Sequence, residues 1–177
     1  MNSAGLRLAF LLLPLGLAAG SAVASDQALK LAFVYNFAKF TDWPERSAPR
    51  GALELCVAAD DVEHGAAMRA LAGRSVRGAP LRVRSIEQAA EVTGCHVVYV
   101  PDQNARQVAE IAQAARNAGV LSVSDHESFL RLGGMIGLVS IQGRLQFEVD
   151  QETALRAGLH LNAQLLQLAR SVRRPKT

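Results

Sequence analysis

The sequence predicts a single three-layer α/β/α domain with a mainly parallel sheet and an antiparallel hairpin near the carboxyl terminus. Three observations carry this prediction. Short apolar runs alternate with helical stretches between residues 27 and 124, and such strand–helix units form parallel strands that must be covered on both faces. Two β-type runs then follow one another directly around Gln142-Gly143, which reads as a hairpin with glycine supplying the turn. No repeat, low-complexity tract or linker divides the chain.

The elements follow in order. Arg7 precedes an apolar run over residues 8–17, and small residues lead to Ala22-Val23-Ala24. This is the three-part layout of a cleavable export signal, so residues 1–24 are expected to be removed and residues 25–177 to form the domain. The alternative is an uncleaved anchor, since about 18 apolar residues can span a bilayer; Pro14, Gly16 and Gly20 argue against it. Leu29, Phe33, Phe37 and Phe40 recur at helical spacing, predicting an amphipathic helix over 27–41 that Trp43-Pro44 stops. Residues 53–58 read as a strand, followed by the acidic turn Asp60-Asp61 and a helix running through Met68 to Leu71.

Residues 81–84 form a second strand, 86–90 a short helix, and 97–100 a strongly apolar strand closed by Pro101. A helix over 105–117 ends at Gly119, and residues 120–123 return to strand. Asp125 is placed to cap a short helix that finishes at Gly133-Gly134. After the hairpin strands, 135–141 and 145–149, the chain is helical. A break near Gly158 separates it from a last helix that Asn162 caps and that runs to about Val172.

Composition excludes some functions. Nineteen Lys and Arg stand against sixteen Asp and Glu, and loss of Arg7 with the signal narrows the difference further, too balanced for nucleic acid. The tail residues Arg170, Arg173, Arg174 and Lys176 read as a solvated end, with phosphate head groups as the alternative contact. The four histidines, His64, His96, His126 and His160, lack ligand spacing to one another or to cysteine, so no metal site is expected. There is no Gly-x-Ser-x-Gly elbow and no phosphate-cradling glycine loop, so neither a catalytic residue nor a cofactor is assigned and the protein is expected not to be an enzyme.

Asp60, Asp61 and Glu63 lie after the first strand of the domain, where open α/β sheets often bind ligands, and could hold Mg²⁺ or accept a phosphoryl group. Export removes the cytoplasmic ATP that a phosphorelay needs, and a helix N-terminus favouring negative charge accounts for the same residues. Cys56 and Cys95 are the two cysteines, and an oxidising compartment lets them pair. A bond closing a loop of nearly 40 residues is worth about 4 kcal/mol in the chain-entropy model. Two buried free thiols are the other reading.

The string Leu31-Ala32-Phe33-Val34-Tyr35-Asn36-Phe37-Ala38-Lys39-Phe40-Thr41-Asp42-Trp43-Pro44 resembles the YfiR family of exported bacterial proteins. So do Gly143-Arg144-Leu145-Gln146-Phe147-Glu148-Val149-Asp150, Ala157-Gly158-Leu159 and Asn162-Ala163-Gln164-Leu165-Leu166-Gln167-Leu168-Ala169. The matches bracket the mature chain in order. The resemblance implies a periplasmic repressor that binds the periplasmic domain of a membrane-bound diguanylate cyclase, restrains cyclic di-GMP synthesis and so bears on biofilm growth. It also implies capture by an outer-membrane lipoprotein and pairing as a homodimer. Periplasmic binding of a small ligand is the alternative function, because an open α/β sheet offers a crevice at its strand ends.

By the same resemblance, Cys56 and Cys95 match the family's core disulfide, whereas the second disulfide of some members, near residues 130–137, has no cysteine here. Glu148, Arg144 and Ile136 are assigned to the partner surface, a hairpin charge pair solvated on both sides being the plainer reading. Asp150 stands where many members have asparagine. The aromatic string from Phe33 to Trp43 either fills a core face or forms a partner groove.

Overall fold

The computed structural model describes residues 25–59, 61–71 and 73–175. The expected export signal and Asp60 therefore lie outside the described residues. The chain runs α1 (Asp26–Lys39), β1 (Thr41–Asp42), β2 (Leu53–Val57), α2 (Val62–Ala70), β3 (Ser75–Val76), β4 (Ala79–Ser85), β5 (Val97–Val100) and α3 (Ala105–Ala118). It continues with β6 (Leu121–Ser124), β7 (Ile136–Ile141), β8 (Arg144–Asp150), α4 (Gln151–Arg156), β9 (His160–Leu161), α5 (Ala163–Leu168) and β10 (Ser171–Arg173).

Among the described residues one sheet has the order β10-β8-β7-β6-β5-β2-β4-β3, and β1 pairs separately with β9. Neighbours from β7 across to β4 are parallel, while β7–β8 and β3–β4 are antiparallel hairpins. The sheet thus has the mainly parallel character expected from the strand–helix alternation. Side-chain alternation divides its faces. Leu53, Leu55, Val57, Val97, Tyr99, Leu121 and Val123 join the cluster containing Leu31, Val34 and Phe37 of α1. Cys56, Val98 and Val100 point the other way, into a cluster with Val108, Ile111, Ala112 and Ala115 of α3. That α3 set has the i, i+3, i+4, i+7 spacing of one helical face, so α3 forms the third layer.

Local chemistry sets the helix ends. The Ser25 hydroxyl accepts the Ala28 N–H at 3.2 Å, and Asp26 and Lys39 lie at the ends that the helix dipole favours. Asn104 caps α3 through the Arg106 N–H at 2.9 Å, and Gly119 ends it at φ 67°. In the β7–β8 turn, Gln142 (φ 51°) and Gly143 (φ 73°) take the paired left-handed conformation that matches the twist of a two-residue hairpin.

Three expectations are corrected. Residues 125–134 form turns, not a helix capped by Asp125: Ser124 Oγ accepts the His126 N–H at 3.0 Å, and Asp125 is engaged elsewhere. The last helix stops at Leu168 rather than near Val172, because Ala169 is extended and the Arg170 N–H donates to the Phe147 carbonyl at 2.8 Å. From there the chain trades helical bonds for a parallel ladder with β8, pairing Ser171 with Glu148 and Arg173 with Asp150. The short helix expected at 86–90 is a 3₁₀ turn at Ala89–Val92, held by the Glu91 carboxylate, which accepts the N–H groups of Glu87 and Gln88 at 2.8 Å.

Candidate functional site

The sequence motifs converge on the β7–β8 hairpin and its surroundings. Gly137 lies opposite Glu148, and Ile136 opposite Val149. Glu148 is a quarter exposed and pairs with Arg170 at the start of the terminal strand. Arg144 is exposed at the turn end, four residues from Glu148 and so about 13 Å along the strand. Ile136 has no exposed area, which corrects its placement on the partner surface: it supports the hairpin from the core. The hairpin therefore presents Glu148 and Arg144 as separate polar points, with Arg170 and Arg173 beside Glu148.

Sequence reading missed both arginines, treating the tail as solvated. Asp150 is the signal that finds them. Its carboxylate is buried, caps α4 by accepting the Thr153 N–H at 2.9 Å, and meets Arg173 at 3.2 Å. Asp150→Asn should keep the cap and lose the charge pair, costing about 1 kcal/mol because Arg173 is largely solvated. Asp150→Ala should cost about 2 kcal/mol, losing both and leaving the Thr153 N–H without its side-chain acceptor. Urea unfolding of the two variants checks this; equal losses would show that the cap contributes nothing.

The signature string in α1 is mainly structural. Phe37 is buried, with its ring centroid 4.8 Å from Phe147 of β8 and 6.0 Å from Phe33. Tyr35 donates to the Ser75 carbonyl at 2.9 Å, its ring flanked by Lys39 and Arg74 at 5.5 and 5.3 Å. Trp43 donates to the His96 carbonyl at 3.0 Å. One helix and its following turn thus fix the hairpin, the β3 edge and the entry to β5.

Within the described part of the acidic cluster, Asp61 has a structural role. Asp61 caps α2, accepting the His64 N–H at 2.9 Å and meeting His64 Nδ1 at 2.6 Å. Those hydrogen bonds, the backbone one foremost, hold its carboxyl below the usual range. Glu63 is exposed in the first helical turn. At the carboxyl ends of β5 and β6, Tyr99 donates to Asp125 at 3.1 Å, and Lys30 of α1 reaches the same carboxylate at 2.7 Å. Burial alone would lower the Lys30 ammonium, but hydrogen bonds and charge from Asp125 and Asp26 outweigh it and raise its pKa. Doubly wound sheets bind ligands at this end; here the chain's own ammonium occupies a place beside Tyr99.

Cys56 and Cys95 are joined, with Cα atoms 6.0 Å apart, and both are buried in the α3 layer. His96, the next residue, accepts the Glu54 N–H on Nδ1 at 2.9 Å, and burial lowers its pKa. His126 accepts the Ser128 N–H at 3.1 Å, and His160 is exposed on β9. Among the described residues no group of three His, Cys, Asp or Glu could hold a metal ion, and no helix is long and apolar enough to cross a membrane.

The geometry defines a doubly wound α/β domain extended by an antiparallel hairpin and a terminal parallel strand. Residues 27–170 match the YfiR/HmsC-like family, and the chain belongs to that family. In fold it is similar to a conserved domain protein from Vibrio cholerae O1 biovar El Tor, at 12% identity and a TM-score of 0.51, covering 84% of this chain and 60% of that one. A weaker likeness, 11% identity and a TM-score of 0.46 over 68% of this chain and 55% of the other, is to an ABC domain in complex with L-Trp from Streptococcus pneumoniae. The chain spans less than two thirds of each of these structures.

Proposed function

We propose that this protein is a periplasmic regulator that binds the periplasmic sensor domain of an inner-membrane diguanylate cyclase and represses cyclic di-GMP synthesis, without catalysing a reaction itself. Membership of the YfiR/HmsC-like family across residues 27–170 is the observation that carries this reading. The export-type segment at residues 1–24 supports the address. Capture by an outer-membrane lipoprotein and homodimer formation belong to the same proposal.

The contact surface is the outer side of β8 with its β10 cover, centred on Glu148 and including Arg144. Binding there acts by shifting the partner between signalling states, so the repressor need only bind one state more tightly. Titration of the isolated cyclase sensor domain with the mature protein should give saturable binding, and deletion of the gene should raise cellular cyclic di-GMP. Glu148→Ala should weaken binding at least tenfold while changing stability by less than about 1 kcal/mol, since its pair with Arg170 is solvent-screened. Undiminished binding by that variant would move the surface elsewhere; no binding together with unchanged cyclic di-GMP would end the proposal.

A further inference from the structure

At the amino ends of β2 and β5, opposite the Lys30 cluster, an open cavity of about 530 Å³ is lined by Arg46, Arg50, Arg82, Glu54, Thr93 and His96, among others. We propose that this cavity binds a small molecule carrying a compact dianionic oxyanion, of the phosphomonoester class. Its volume lies within the range of small-ligand sites, roughly 300–1,000 Å³.

Charge is the first argument. Three arginines and one glutamate line the cavity, and the carboxylate, Glu54, is matched to Arg82 at 3.5 Å across the β2–β4 register. Among the described residues neither Arg46 nor Arg50 has a carboxylate within ion-pair distance. Arg46 makes a long bond, 3.4 Å, to the Ala157 carbonyl. The carboxyl end of α3 also reaches the cavity at Ala118 and contributes about half a negative charge. A net excess of more than one positive charge remains, and guanidinium forks suit phosphate oxygens.

Hydrogen-bond polarity is the second argument. Because His96 Nδ1 accepts the Glu54 N–H, the neutral ring carries its hydrogen on Nε2 and offers a donor. Trp43 and the adjoining disulfide fix this residue: the indole donates to its carbonyl and stands edge-on to its ring at 6.3 Å. The third argument is space. Gly94 also lines the cavity, and a Cβ there would meet nothing within 4 Å. The loop that brings Arg46 and Arg50 is anchored through a 3₁₀ turn at Glu45–Ser47, directly after the signature Trp43-Pro44.

The site is independent of the cyclase reading, and either can fail alone. Titrate the mature protein with inorganic phosphate at constant ionic strength set by chloride, following binding by calorimetry and amide chemical shifts. Saturable binding is expected, with shifts centred on Gly94 and His96. Arg50→Gln/Arg82→Gln should lose at least tenfold in affinity, while the charge-matched control Arg106→Gln/Arg131→Gln, remote from the cavity, should bind as the unmodified protein does. Among the described residues Arg50 makes no side-chain bond, and Arg82 is exposed, so the first variant should fold; its circular dichroism and thermal unfolding verify that. Absence of saturation, or equal weakening in both double variants, would overturn the site.

Discussion

Replacing both Cys56 and Cys95 by alanine should lower the unfolding free energy by about 4 kcal/mol, the loop-closure entropy restored to the unfolded chain when a bond spanning 39 positions is removed. A domain of this size holds a total of about 5–15 kcal/mol, so the variant should stay folded at room temperature with a much reduced margin. The bond also ties β2 to the residue that leads into β5, two neighbours at the centre of the sheet, so its loss should be felt by the whole domain. Urea unfolding of the oxidised protein, the reduced protein and the double alanine variant measures it. The alanine form should be the less stable of the two by about 1–2 kcal/mol, because it also deletes two buried sulfur atoms that the reduced form keeps. A loss under 1 kcal/mol in both would show that the unfolded chain gains little freedom from breaking the link.

Phe37→Ala should cost about 3–5 kcal/mol. The ring is only 2% exposed and packs on Phe147 and Phe33, so its removal opens a cavity between α1 and the hairpin. The effect should be asymmetric. Amides of β8 should exchange faster than those of β2, since Phe147 loses its main aromatic neighbour while the disulfide still holds the centre. Phe33 is half-buried at the rim of the same cluster, and Phe33→Ala should cost less. Chemical denaturation with hydrogen exchange separates these expectations. Costs under about 1 kcal/mol at both positions would return the aromatic string to the alternative of a partner groove.

Much of the fold was legible because its signals are local. Residues 53–57, 97–100 and 121–124 are apolar runs bounded by polar or turn residues, and the left-handed turn at Gln142-Gly143 needs glycine. The disulfide was legible because two cysteines allow one pairing. The terminal strand was not: Val172 continues the helical spacing of Leu165 and Leu168, and only the long-range bond from Arg170 to Phe147 overrides it. β3 was missed because a two-residue strand has no periodicity, although the Arg77-Gly78 turn, with φ 51° and 85°, marks the hairpin. The basic cavity was invisible for a third reason. Arg46, Arg50, Arg82 and His96 come from three segments that only the parallel sheet brings to one end.

The terminal strand carries a consequence for self-association. A long β8 carrying Leu145, Phe147 and Val149 would otherwise expose a row of unpaired backbone groups, the template on which another polypeptide adds a strand. β10 stoppers that edge with three residues, secured by Arg170 to Glu148 and Arg173 to Asp150. The arginine ends of both pairs are solvated while Asp150 is buried, so salt weakens these pairs in part and leaves the backbone ladder to β8 in place. Two molecules that release it together can exchange it reciprocally, each completing the other's sheet.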